Sequence, residues 1–203
     1  MVEGRRNGLH LDEEKRQQIT KIKKRISELG VTFNKNLNED TTHLYLEAGN
    51  LTGVPEDLVN SLEKDDAGRV KLTMKYPHFF PVTRKCSNPE TRFLVEKTFQ
   101  SACMEENTAI LQEILTLRQE QAAILGYPSH AAYIQEVRMA KDPETVSRFL
   151  QELAVKLQPL WAKEKEVMLA LKAEEAKELG FKDNGVIDYW DFRYLLLNQK
   201  TCL

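Results

Sequence analysis

The chain has 203 residues, 41% hydrophobic and 30% charged, which places it among folded globular proteins and excludes an intrinsically disordered chain. A formal net charge of -2 provides no global basic field, so nucleic-acid binding would need a local patch, and no run approaches the 18 apolar residues of a membrane span.

Met1-Val2-Glu3-Gly4-Arg5-Arg6 has no apolar run behind it and does not read as a signal peptide. Asp12 is a natural N-cap. Behind it Ile19, Ile22, Ile26, Leu29, Phe33 and Leu37 follow in steps of 3, 4, 3, 4 and 4, which predicts a helix over 13–38. Gly30 lies inside it and costs roughly 1 kcal/mol against alanine. Lys21-Ile22-Lys23-Lys24-Arg25 is the best basic patch, but it shares the helix with Glu13, Glu14 and Glu28 and reads as a solvated face.

After Asn38-Glu39-Asp40 the period changes to two. Leu44 and Leu46 alternate with polar neighbours, and so do Val70, Leu72 and Met74, which predicts two short strands able to pair antiparallel. Between them Pro55 opens a short helix ending near Lys64, and Asp65-Asp66-Ala67-Gly68 turns the chain back. Tyr76-Pro77-His78-Phe79-Phe80-Pro81 contains two prolines and is expected to be extended, with its aromatics as an anchor.

From Asn88 the chain is helical again, with Asn88 as cap and Pro89 in the first turn. Ala109, Ile110, Ile114, Leu117 and Ile124 mark the apolar face of the next helix, which ends at Leu125-Gly126. Tyr127-Pro128-Ser129 caps a short helix through Val137. Asp142-Pro143-Glu144 starts a longer one with an apolar stripe of Val146, Phe149, Leu150, Leu153, Leu157, Leu160 and Trp161, and Pro159 predicts a kink or break near residue 157. A charged helix continues to Leu179-Gly180, and a last helix begins at Asp188 and includes Trp190, Phe192 and Tyr194. No repeat, low-complexity tract or flexible linker interrupts the chain. The fold class expected is mainly α, a helical bundle-like unit over 1–203 with a small two-stranded β element.

Catalytic patterns are missing from the chain. His10, His43, His78 and His130 are 33, 35 and 52 residues apart, and none begins a His-Glu-x-x-His motif, whose spacing puts two imidazoles on one helix face around zinc. Glu105-Glu106, Glu164 with Glu166, and Glu174-Glu175 sit in lysine-rich helical stretches and read as solvated faces. Cys103 has no basic partner nearby and reads as an ordinary thiol. Cys86, Cys103 and Cys202 form no CxxC pair, and an odd count fits a reducing, cytoplasmic setting. No GxGxxG or P-loop order marks a phosphate cradle. Trp161, Tyr189, Trp190 and Tyr194 read as core positions.

Several longer segments carry a resemblance. They are Gly4-Arg5-Arg6-Asn7-Gly8-Leu9-His10-Leu11, Phe33-Asn34-Lys35-Asn36-Leu37-Asn38-Glu39-Asp40-Thr41-Thr42, and Lys75-Tyr76-Pro77-His78 with Phe80-Pro81. Pro89-Glu90-Thr91-Arg92, Glu105-Glu106-Asn107, Met139-Ala140-Lys141, Phe149-Leu150 and Trp190-Asp191 follow in the same order. Together they resemble the thimet oligopeptidase and neurolysin family of zinc metalloendopeptidases over about residues 4 to 194. The resemblance implies a largely helical enzyme in which two halves wall a deep channel that admits short peptides. It also implies that this chain is a channel-wall portion of the non-catalytic half. The family's zinc histidines, catalytic glutamate and substrate-binding tyrosines lie downstream of the region represented, so no catalytic, cofactor-binding or metal residue is assigned here and no cofactor is expected to bind. Relative to the family the chain lacks upstream helical sequence, and Leu195 to Leu203 drifts from the family pattern, as in a truncated or alternatively spliced product. Apolar helix faces left bare by such an arrangement would suit a protein partner, which makes a helical interaction module the alternative to a catalytically empty fragment.

Overall fold

The computed structural model describes residues 2–199, so Cys202 and the end of the divergent C-terminal stretch lie outside it. Among the described residues the fold is mainly α. It comprises nine α-helices, one 3-10 turn at Ala48–Leu51 and two short strands. The residues pack as two compact units. The first takes the chain up to Asp40 together with Cys103–Lys156, and the second takes Thr41–Ala102 together with the chain from Leu157 on.

In the first unit, α1 (Val2–Arg6) precedes α2 (Glu13–Glu39), which starts where Asp12 accepts a hydrogen bond from the Lys15 amide. α2 buries Ile19, Ile22 and Leu29, three of the six positions of the predicted stripe. It packs along α6 (Met104–Ile124), whose buried positions Asn107, Ile114, Gln121 and Ala122 include two amides. Ala109, expected on the apolar face, is exposed. Asn107 bridges the helices, donating to Phe33 O at 3.2 Å while its Oδ1 accepts from Asn36 at 2.8 Å. Arg25 forks onto Glu113, and Arg6 reaches Glu136 at 2.7 Å while stacking over Tyr133. α6 ends at Gly126, whose φ of +84° closes the helix at little cost for glycine. Ser129 then caps the short α7 (His130–Gln135) through the Ala132 amide.

The second unit holds the main apolar core. β1 (His43–Leu46) and β2 (Val70–Thr73) pair antiparallel with Leu44 opposite Leu72 and Leu46 opposite Val70, as the alternation predicted. Their buried face meets Leu51, Val54, Leu62, Met74, Phe79, Val82, Cys86 and Val95. α3 (Glu56–Ser61) follows Pro55, and α5 (Pro89–Gln100) follows Asn88, whose side chain accepts from the Glu90 and Thr91 amides. Gly53 is required sterically: a Cβ there would lie 2.4 Å from the backbone oxygen of Lys85, at a φ of +87°.

One expectation fails in this part of the fold. Tyr76–Lys85 is a helix, α4, and not an extended segment. Pro77 falls in its first turn, where no intrahelical donor is needed, and Pro81 removes only one bond. The burial of Phe79, with Phe99 stacked on it at 3.9 Å, and of Val82 and Thr83 outweighs that loss.

α8 (Pro143–Leu179) begins in the first unit, capped by Asp142 through Thr145, and ends in the second. It runs unbroken through Pro159, because a missing donor in 37 residues leaves the flanking ladder intact. Of the predicted stripe, Val146 is half-buried, whereas Phe149, Leu150, Leu153, Leu157, Leu160 and Trp161, the last read as core, are exposed. The buried residues of α8 are Met168, Lys172 and Ala176, nearer its end. Met168 packs with Tyr194 and Leu195 of α9 (Tyr189–Gln199). No helix among the described residues is long and apolar enough to cross a membrane.

Candidate functional site

The densest chemistry in the molecule is a cluster of buried charge in the second unit. Arg92 on α5 is 1% exposed, and so is Asp191 on α9. Arg92 donates to Asp191 Oδ1 from Nη2 at 2.7 Å and from Nε at 3.2 Å, and to the Cys86 carbonyl at 2.7 Å. Its guanidinium lies 4.1 Å from the Tyr194 ring centroid. From α8, Lys172 brings a second cation to the other carboxylate oxygen of Asp191, at 2.9 Å. Arg193 binds Glu96, which is itself 2% exposed, at 2.7 Å, and Gln100 donates to the second oxygen of Glu96.

Ionised groups are buried this deeply only when partners replace their lost water. Burial works against the Lys172 ammonium, but Asp191 and then Asp188 more than offset it, and its pKa lies above the ordinary lysine value. Glu175 accepts from the Tyr194 hydroxyl. Burial holds its carboxyl above the usual carboxylate range despite that bond and the nearby Arg92. The phenol in turn is pushed up to about 12 by burial and by Glu175.

Beside the cluster a cleft of about 400 Å³ opens between Phe93, Phe181, Trp190 and the polar residues Lys172, Asn184 and Asp188. It is lined by no histidine or cysteine. The cations of the cluster are engaged by carboxylates and carbonyls, an arrangement that fixes α5, α8 and α9 against one another.

The residues singled out in the sequence lie apart from it. His10 and His43 are exposed, and His78 contacts Thr73 through Nδ1. His130 is half-buried with Nδ1 unpartnered, and burial, followed by Arg118, lowers its pKa. Cys103 precedes α6 in a left-handed conformation with φ of +50°, its thiol on the Asn36 carbonyl. Burial, then Asp40 and Glu106, raises its pKa, the reverse of nucleophile activation. Glu105 and Glu106 are exposed and Glu164 half-exposed, whereas Glu175 departs from the expected solvated face. Tyr194 is buried and Tyr189 is 60% exposed, against its reading as core. The basic patch on α2 is partly neutralised, Arg25 by Glu113 and Lys24 by Glu28.

Among the described residues no group of three or more His, Cys, Asp or Glu side chains lies close enough to hold a metal ion. Sequence reasoning missed Arg92, Glu96, Lys172 and Asp191 as buried charges. No local signal marks them: Arg92 and Glu96 stand one turn apart on α5, a spacing that a solvated helix face shows equally.

Comparison with known proteins gives a consistent result. Residues 82–201 match Peptidase family M3. The chain is 39% identical to saccharolysin of Saccharomyces cerevisiae over 197 residues, which cover 93% of the chain and 27% of that protein. It is 34% identical to a thimet-like oligopeptidase of Dictyostelium discoideum, covering 93% of the chain and 28% of the relative. With oligopeptidase A of Escherichia coli it is 28% identical, over 97% of the chain and 30% of the relative. The chain thus spans less than a third of the length of these curated relatives.

Proposed function

The chain belongs to peptidase family M3, and on that premise we propose that it is a non-catalytic portion of a zinc-dependent oligopeptidase for short peptides. In this reading it contributes helical channel wall and hydrolyses nothing by itself. The observation that carries the proposal is chemical. A zinc peptidase needs two histidines four apart on one helix and a glutamate beside the metal-bound water. The 203 residues contain four histidines, none nearer than 33 positions to the next. A cytoplasmic setting belongs to the same proposal, supported by the unpaired thiols of Cys86 and Cys103.

The test is to purify the chain, measure bound zinc by atomic absorption, and follow a quenched short peptide with and without added Zn²⁺. Metal below about 0.1 equivalent and turnover at the buffer rate are expected. Stoichiometric zinc with zinc-dependent cleavage would refute the proposal.

A second reading, a helical module that binds another polypeptide, is favoured by the exposed stripe from Phe149 to Trp161 on α8. A contiguous apolar patch of this kind marks an interaction surface. Size-exclusion chromatography with light scattering discriminates, run alone and with the remaining region of a family member. Co-elution with that region supports the module, and an indifferent monomer counts against it.

A further inference from the structure

The segment joining α8 to α9 carries a pattern that peptidase chemistry does not use. Its order is Asn184-Gly185-Val186-Ile187-Asp188-Tyr189-Trp190-Asp191, lying between one helix that ends at Leu179 and another that begins at Tyr189. In the twelve-residue loop of a calcium-binding helix–loop–helix, the later ligands come from positions 5, 7, 9 and 12. Position 7 acts through its backbone carbonyl, and position 6 is a glycine in a sharp turn. Asn184, Val186, Asp188 and Asp191 have that spacing, and Gly185 has a φ of +70°. The match ends upstream, where Gly180 and Lys182 occupy positions 1 and 3 and supply no carboxylate.

The four oxygens nevertheless converge, and a cation stands among them. Lys172 Nζ donates to Asn184 Oδ1 at 2.9 Å, to the Val186 carbonyl at 2.7 Å and to Asp188 Oδ2 at 3.2 Å. Asp191 Oδ2 lies 2.9 Å from the same nitrogen. An ammonium has three hydrogens and here faces four oxygens. Asp191 Oδ2, on a side chain 1% exposed, is the one left without an aligned hydrogen bond. It is held by charge, as a metal ligand is.

The geometry points to residues 184–191 as a cation cage of the calcium-loop type whose resident cation is the tethered Lys172 ammonium, and which becomes an oxygen site for Ca²⁺ once that ammonium is removed. The oxygens would have to close in from 2.7–3.2 Å around nitrogen to 2.3–2.6 Å around calcium. The remaining coordination positions fall to water, which reaches the cage through the cleft lined by Lys172, Asn184 and Asp188. With two carboxylates, one of them shared with Arg92, affinity belongs at the weak end of such loops, at about 10⁻⁴ to 10⁻³ M. In the unaltered chain the tethered cation makes the α8–α9 corner independent of metal.

The experiment compares the full 203-residue chain with its Lys172→Ala variant in chelator and in 10 mM CaCl₂, with MgCl₂ at equal concentration as control. The variant should melt well below the parent in chelator. Calcium should raise its Tm by about 4 °C and leave the parent within about 1 °C. Adding Asp188→Asn to the variant should abolish the response. Terbium emission sensitised by the neighbouring Trp190 should appear in the variant alone and be displaced by calcium. In the parent, the Lys172 ammonium should exchange its protons slowly enough to give a resolved ¹⁵N correlation near neutral pH. Two results overturn the assignment. One is a variant whose melting ignores calcium and which sensitises no terbium, including a variant equally unfolded in both buffers. The other is a Lys172 ammonium that exchanges as fast as surface lysines.

Discussion

Asp191 is shared by two buried cations, Arg92 on Oδ1 and Lys172 on Oδ2, and its removal would leave both without their principal counter-charge. Breaking a buried pair on one side costs about 3–5 kcal/mol, because the surviving charge stays desolvated. Asp191→Asn keeps the shape and should lower unfolding free energy by that amount in urea titrations. A loss below about 1 kcal/mol would mean that the cluster is hydrated. Tyr194 provides a second test through pH. Its folded pKa of about 12 exceeds the ordinary 10, so the folded chain holds a proton that the unfolded chain releases. The associated stability is complete below pH 10 and is lost as pH rises toward 12. Tyr194→Phe should therefore lose about 2 kcal/mol less than the parent between pH 9.5 and 12, as read from chemical denaturation at each pH. Identical pH slopes would count against a buried phenol on Glu175. These buried charges were hard to read in the sequence. Arg92 and Asp191 are 99 positions apart, and nothing local to either identifies a partner that only tertiary packing supplies.

Among the elements, those with local start signals were legible. Asp12, Asn88, Ser129 and Asp142 each accept from a backbone amide at the start of their helices, because a cap is chemistry within three residues. The β1–β2 pair was legible for a similar reason: period-two alternation survives in segments of four residues. α4 was misread because proline content argues locally against a helix, whereas the burial that favours it comes from distant residues, including Leu72 and Val95. α8 shows the reverse. Its periodicity correctly predicted a helix, but a stripe does not say what covers it, and Phe149 to Trp161 are exposed. The contrast is measurable. Phe79→Ala, in the core of the second unit, should cost about 3–5 kcal/mol. Phe149→Ser, at 63% exposure, should change stability by less than about 0.5 kcal/mol. Comparable losses at the two positions would show that the stripe on α8 is buried in solution.

At the scale of the whole molecule, membership of peptidase family M3 is carried by a match that runs across most of the chain. The chain aligns with M3 peptidases over 93% or more of its own length in saccharolysin and oligopeptidase A, yet it covers 27% and 30% of theirs. The family was legible from short segments such as Pro89-Glu90-Thr91-Arg92 and Trp190-Asp191, which together include both ends of the Arg92–Asp191 ion pair. The account is tested most directly by zinc stoichiometry measured together with short-peptide hydrolysis on one purified preparation. It predicts metal below about 0.1 equivalent and no cleavage above the buffer rate; one tightly held zinc per chain with chelator-sensitive turnover would contradict it.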